Sequence, residues 1–472
     1  MRKILTAVVA APVIALFTLG APAHAATRTA VTGGGVGWSD SAVGTTLANA
    51  MFQSNGDIMR NDGWTGKGIG IAMIDTGVAA VPGLTGGNVV NGPDLSFESQ
   101  DPAKRYSDGN GHGTHLAGIM VGKPAGDFGG GIAIGAKLTS IKVGAANGAV
   151  DVSQVIAAVD WVIEHRNDDA ANKIRILELS YGTDGVQPST LDPLAHAVEN
   201  AWRAGIVVVA AAGNTGGNTA LLNPASDPYV LSVGAVDTVG TASARDDVVT
   251  SFTNRGGARR VDIVVPGRTI LSLRDPGSYI DTNFPSARVG TSVFKGSGTS
   301  QATAVAAGNI ALLLQKRPTW TPDQVKAAIL STGVAVKQTS SQDAGLKYMD
   351  IFMASVATAT ATRQSWPAST GKGTLEGARG TVHVSDGGIS LTGENSVWGP
   401  LSTPAWAAAS SAGTAWTGGS WLGNDLTGTG YTAVAGGITS WTGRAWSGRA
   451  WSGRAWSGAS WSAAAWLGAS WS

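Results

Sequence analysis

There is no cysteine anywhere in the 472-residue sequence. That absence excludes a disulfide framework, a thiol nucleophile and a thiolate metal site together. An excess of charge is missing as well: 33 Lys and Arg face 32 Asp and Glu, a net +1, and taking away Arg2 and Lys3 leaves 31 against 32, or −1. Neither balance supports attraction to nucleic acid or to an anionic membrane. After Leu19 no apolar run approaches the length that spans a bilayer. What the chain has in quantity is glycine and tryptophan. The 17 tryptophans gather toward the C-terminal end and set that end apart from the rest.

The N-terminus has its own grammar. Arg2-Lys3 precede an apolar run from Ile4 to Leu19, and Ala23-His24-Ala25 follows as a small-x-small cleavage site. The expectation is a signal peptide over 1–25 and a secreted, extracellular protein, with no transmembrane segment. A membrane anchor fits less well, because the run is short and contains Pro12. Residues 26–62 read as a short polar extension, with one helix over Ser41–Phe52 carrying Val43, Leu47 and Met51 at helical spacing.

From residue 63 to 353 the pattern alternates. Gly68 to Ile74 is an apolar strand ending in Asp75-Thr76-Gly77, and further strands are expected over Leu138–Val143, Ile174–Leu179, Ile206–Ala212, Tyr229–Val236 and Val261–Val265. Helices are expected to open at His112, to cover Val152–Arg166 and Leu191–Ala204, to follow Ser300 as far as Gln315, and to start again at Pro322. Strands alternating with helices over this length give an α/β fold, a mostly parallel sheet with helices on both faces. Residues 354–400 read as a linker or small β-rich segment. Residues 401–472 are a Trp-rich tail in which Trp441, Trp446, Trp451, Trp456, Trp461, Trp466 and Trp471 recur every five residues.

Four residues in this frame carry chemistry. Ser300, in Gly298-Thr299-Ser300-Gln301-Ala302-Thr303-Ala304, stands at a helix N-terminus, where it is either a cap or a nucleophile. His112 is a candidate general base and Asp75 a partner for its second ring nitrogen. Asn214 offers a side-chain amide to an oxyanion. His115 lies three residues beyond His112 and reads as a packing residue.

Ile74-Asp75-Thr76-Gly77, Gly111-His112-Gly113-Thr114-His115-Leu116-Ala117-Gly118, Ala211-Ala212-Gly213-Asn214 and Gly298-Thr299-Ser300 resemble the Asp, His, oxyanion-Asn and Ser motifs of the subtilisin-like serine peptidases, the subtilases. The chain order Asp, His, Ser is the known order of that family and not a deduction from spacing. The resemblance runs from about Gly66 to Gly333. It implies an endopeptidase acting on protein or peptide through an acyl-enzyme on Ser300, with His112 as base, Asp75 orienting it and Asn214 in the oxyanion hole. It further implies that Ser180, Tyr181 and Gly182 pair with the substrate backbone, that Asn147-Gly148-Ala149 supplies the opposite strand, and that Ala211, Ala212 and Gly213 border the S1 pocket. Leu222 would stand at its base, before an Asn223-Pro224 bond that is often cis in the family. Three positions depart from the family pattern: Gln301 and Ala304 where Met and Pro are usual, and Glu178 where Asn is frequent. Gln301 is placed to reach the active-site rim, and Glu178 would need a partner if buried. The stretch after Ala25 is too short for the inhibitory propeptide many relatives carry.

Other readings fit the residues less well. An aspartic peptidase needs a second Asp-Thr-Gly or Asp-Ser-Gly, which is missing. A metal site on His112 and His115 lacks a third ligand nearby. No cofactor is required for the chemistry, and structural calcium, common in the family, finds no defined oxygen spacing and is left unassigned. Asp108 and Asn110 read as active-site loop residues. A non-catalytic surface or adhesion protein would use the same fold with the Trp tail, whose contacts would be cell wall, glycan or another surface. A five-residue period matches neither strand nor helix and so presents no simple amphipathic face.

Overall fold

A computed structural model of the chain describes residues 44–241, 243–358, 363–386, 389–426 and 442–443. The expected signal peptide and the repeated tryptophans from Trp441 to Trp471 lie outside the described residues. The strands are β1 (Gly70–Asp75), β2 (Val89–Asp94), β3 (Lys137–Lys142), β4 (Ile174–Leu179), β5 (Val207–Ala211), β6 (Leu231–Asp237), β7 (Val248–Val249), β8 (Ile263–Pro266), β9 (Ile270–Leu273), β10 (Arg288–Val289), β11 (Val293–Gly296), β12 (Val334–Ala335) and β13 (Lys347–Tyr348), followed by short ladders after residue 383. The helices are α1 (Leu47–Gln53), α2 (Gly56–Asn61), α3 (His112–Val121), α4 (Val152–His165), α5 (Pro193–Arg203), α6 (Tyr279–Asn283), α7 (Thr299–Lys316), α8 (Pro322–Thr332), α9 (Ile351–Val356), α10 (Leu375–Arg379) and α11 (Thr403–Ser411).

Ten strands form one sheet in the order β12-β13-β8-β6-β5-β4-β1-β3-β2, with β7 beside β6. Every ladder from β2 to β13 along this path is parallel, and only β7 and β12 run against their neighbours. The expected mostly parallel α/β sheet is therefore the observed one. β1, β5 and β8 are buried at every residue, as central strands covered on both faces must be. The first crossovers from β1 lead to β2 and β3 on one side, and the later ones lead to β4 and β5 on the other. The order thus reverses beside the C-terminal end of β1, the place where open α/β sheets hold their ligands.

Helix α7 packs across β4, β5, β6 and β8, with α3 beside it. Thr299 through Leu314 are all buried. Each of its Leu and Ile side chains contributes roughly 1.5–3 kcal/mol through that burial. Its N-cap is Gly298, which offers no side-chain cap, so Ser300 is the second helical residue and does not cap the helix. On the opposite face lie α4 and α5. Asp151 and Gln154 form a capping box that starts α4, and Asp192 with Pro193 starts α5.

Residues 363–426, divided by the sequence reading between a β-rich segment and the Trp tail, lie over α4 and α5, with α10 on α4 and α11 on α5. Buried Arg379 donates to Asp151 at 2.6 Å. Asp160, on α4, accepts from Trp406 Nε1 at 2.8 Å, Trp421 Nε1 at 2.9 Å and Ser410 Oγ at 2.6 Å. Among the described residues no helix is long and apolar enough to cross a membrane.

Candidate active site

Adjacent strands β1, β4 and β5 deliver their last residues to one sheet edge. β1 ends at Asp75, β4 runs into Ser180-Tyr181-Gly182, and β5 ends at Ala211 before Ala212-Gly213-Asn214. His112 opens α3, and its Nδ1 lies 3.0 and 3.1 Å from the two Asp75 carboxylate oxygens. Both side chains are fully buried. Thr76 donates its N–H to Asp75 Oδ1 at 2.7 Å and its hydroxyl lies 3.1 Å from the same oxygen. Burial pushes the Asp75 carboxyl up to about 8, against the pull of these Thr76 donors. Burial also pushes His112 well below its ordinary value, so the ring is neutral at pH 7.

What seats His112 is Asp108. Its Oδ1 accepts from Gly111 N at 2.7 Å, Asn110 N at 3.1 Å and Thr76 Oγ1 at 2.8 Å, and its Oδ2 accepts from Thr114 N and Thr114 Oγ1, each at 2.7 Å. One carboxylate therefore ties the entry of α3 to the residue after Asp75. The sequence reading placed Asp108 in a loop, and its reach to Thr114 inside α3 has no local sequence signal, because the N-cap position is held by Gly111.

On the serine side, Asn214 Oδ1 accepts from Thr299 N at 2.8 Å and Thr299 Oγ1 at 3.0 Å. The amide is thereby fixed with its oxygen toward α7 and its NH₂ turned the other way. Thr299 Oγ1 in turn receives Gly213 N at 3.2 Å. Ser180 Oγ lies 3.3 Å from the Ser300 carbonyl, so the end of β4 touches the first turn of α7. Ser300 itself is 2% exposed.

The remaining residues pack beside this edge. A Cβ on Gly182 would stand 2.8 Å from Leu222 Cβ, and one on Gly213 would stand 2.8 Å from Leu222 Cγ, so both segments close directly on Leu222. Leu222 N donates to Ala212 O at 3.1 Å, and the Asn223-Pro224 bond is cis. Tyr181 is buried, and burial, followed by the charge of Asp151, pushes its hydroxyl well above the ordinary tyrosine value. Asn147 Oδ1 accepts from Ala149 N at 3.0 Å in a tight turn. His115 is the packing residue its position suggests: Nε2 lies 3.1 Å from the Phe294 carbonyl, and burial drives the ring's pKa down to about 3. Gln301 does not reach the rim. It is fully buried, its amide packed between Gly296 and Gly298, because the first turn of α7 is itself buried. Among the described residues no cluster of three His, Asp or Glu side chains is placed to hold a metal ion.

The chain belongs to a peptidase family: residues 66–365 match the subtilase family. Serine protease AprX of Bacillus subtilis (strain 168) is 42% identical over 271 residues, 56% of this chain and 60% of that protein's length. Subtilisin Savinase of Lederbergia lenta is 32% identical over 286 residues, 61% of this chain and 91% of that one. A solved structure of a cold adapted subtilisin-like serine proteinase is 30% identical with a TM-score of 0.46, covering 60% of this chain and 88% of the other.

Proposed function

We propose that this subtilase is a secreted serine endopeptidase. His112 Nε2 removes the Ser300 Oγ proton as Oγ bonds to the substrate carbonyl carbon, Asp75 holds Nδ1–H and stabilises the imidazolium, and the Asn214 amide with the Ser300 N–H binds the oxyanion. His112 then passes its proton to the departing amine, the C–N bond breaks, and water releases the acyl group by the reverse roles. The observation that carries this reading is the buried 3.0 Å contact between His112 Nδ1 and Asp75 at the topological reversal of the sheet. The fixed Asn214 amide supports it, since an oxyanion donor must be aligned before charge develops. Treatment with a fluorophosphonate and peptide mapping tests it. The expected adduct is on Ser300, with Ser300→Ala unlabelled and inert toward peptides. An unlabelled wild type would leave the scaffold reading, in which the fold serves surface adhesion.

Ser180, Tyr181, Gly182, Ala211, Ala212 and Gly213 form the substrate-facing walls in this proposal, with Leu222 between them. The seating of Leu222 against Gly182 and Gly213 favours small or medium apolar P1 residues. Matched peptides ending in Ala, Leu, Phe, Lys or Glu at P1 test this, and preference for Lys overturns it. The repeated tryptophans are proposed to retain the enzyme at a polymeric cell surface. Deleting 427–472 is the proper test, because Trp406 and Trp421 are committed to Asp160. Unchanged partition onto cell walls, glycans and lipid rejects the idea.

A further inference from the structure

Glu178 lies on β4 between Met73 of β1 and Val209 of β5, and it is completely buried. Two residues on, Ser180 Oγ contacts Glu178 Oε1 and also stands 3.3 Å from the Ser300 carbonyl. Both of these would be acceptors if Glu178 were ionised, and a serine hydroxyl has one proton to give. The second carboxyl oxygen, Oε2, has no hydrogen-bond partner among the described residues. An ionised carboxylate would therefore sit out of water with one donor at most, a state that costs several kcal/mol.

We infer that Glu178 is a neutral carboxylic acid whose O–H donates to Ser180 Oγ, so that the Ser180 hydroxyl donates to the Ser300 carbonyl and positions the first turn of α7. The reading rests on Ser300 being the nucleophile. Its effect falls on the Ser300 N–H, which shares that turn. Glu178 thus acts as a positioning residue, and it touches neither substrate nor the reacting atoms.

The surroundings keep the acid neutral. Burial, followed by the charge of Asp75 on the neighbouring strand, raises Glu178 well above the ordinary carboxylate range, with the Ser180 contact opposing. β5 is Val-Val-Val-Ala-Ala and brings no charge. In α7 the one charged residue is Lys316, at the far end of the helix from Ser300. On α3 the titratable groups are His112 and His115, both driven toward neutrality by burial. Ionisation of Glu178 at alkaline pH would add a second negative charge beside Asp75 and leave Ser180 with two acceptors. The turn holding the oxyanion donor would then loosen.

Glu178→Gln tests the inference, since its amide N–H replaces the carboxyl O–H and cannot ionise. The expected result is kcat/KM within about threefold of wild type at pH 7, with the alkaline decline of the wild type removed, a gain of about tenfold at the alkaline end. The infrared difference spectrum between the two proteins should show the loss of one protonated-carboxyl band. Coincident pH profiles, or loss of a carboxylate band instead, overturn the inference. Should the Gln variant not fold, Ser180→Ala breaks the same chain: a fall in kcat of about tenfold with KM held is expected, and a rise in KM alone overturns it. Failure of wild type to label on Ser300 would remove the peptidase reading, while the infrared band still decides the protonation of Glu178.

Discussion

Two buried aspartates organise two regions of this molecule, and they differ in their partners rather than in their burial. Asp160 binds the C-terminal layer to α4 through two indole N–H groups and a serine hydroxyl. Asp75 is held by Thr76 and by the His112 ring. Desolvation pushes both carboxyls upward. Indole and hydroxyl donors keep their protons across the working range, so Asp160 can only hold shape. Imidazole is a base that can take up a proton in the course of a reaction, so the same arrangement at Asp75 can take part in one. Burial of an acid therefore identifies a stake in the structure, and the titratability of its partner identifies chemistry.

The comparison is broken most sharply at Asp75. Asp75→Asn should lower kcat by about 10⁴-fold while thermal unfolding changes little, a scale taken from the same substitution in another serine peptidase. Equal activity in the variant would make Asp75 a second Asp160. Asn214→Ala should lower kcat by about 10²–10³-fold, a magnitude known from the matching position in subtilisin itself, with KM nearly unchanged in steady-state assays. Asp160→Ala reverses the pattern. It orphans three buried donors and should lower stability by about 3 kcal/mol in urea unfolding, with kcat per folded molecule unchanged. The smallest effect is in pH. Asp75 must be ionised to hold Nδ1–H, and with its pKa near 8 the ionised fraction grows as pH rises. A kcat/KM profile should thus climb through about pH 8, falling about tenfold per unit below it. A profile flat from pH 6 to 9 would show that the partner donors, not burial, set Asp75.

Much of this was legible locally. β1, β4 and β5 announce themselves as apolar runs, and Asp75, His112, Asn214 and Ser300 stand at their ends or at helix openings. β2 escaped because its sequence, Val-Val-Asn-Gly-Pro-Asp, carries residues that strands disfavour; it survives as the sheet edge. The link from Arg379 to Asp151 crosses 228 positions and leaves no periodic trace. One pair of tryptophans with the same five-residue separation lies within the described residues. At Trp416 and Trp421 the chain reverses through Gly418 and Gly419, with φ of 57° and 88°, and the two tryptophans become direct antiparallel partners. Cross-strand partners share a face.

One contact between the layers bears on how the protein is made. Thr183 Oγ1, just beyond the proposed substrate strand, donates to the Ala378 carbonyl at 2.5 Å, and Val186 N donates to Gly377 O at 3.0 Å. Those partners are separated by 195 residues in the first case. At about 5–20 residues per second of synthesis, the strand waits roughly 10–40 s on the ribosome for its backing. The contact is therefore made after α7 has already emerged, and the backing of the proposed substrate strand comes late in the birth of the chain.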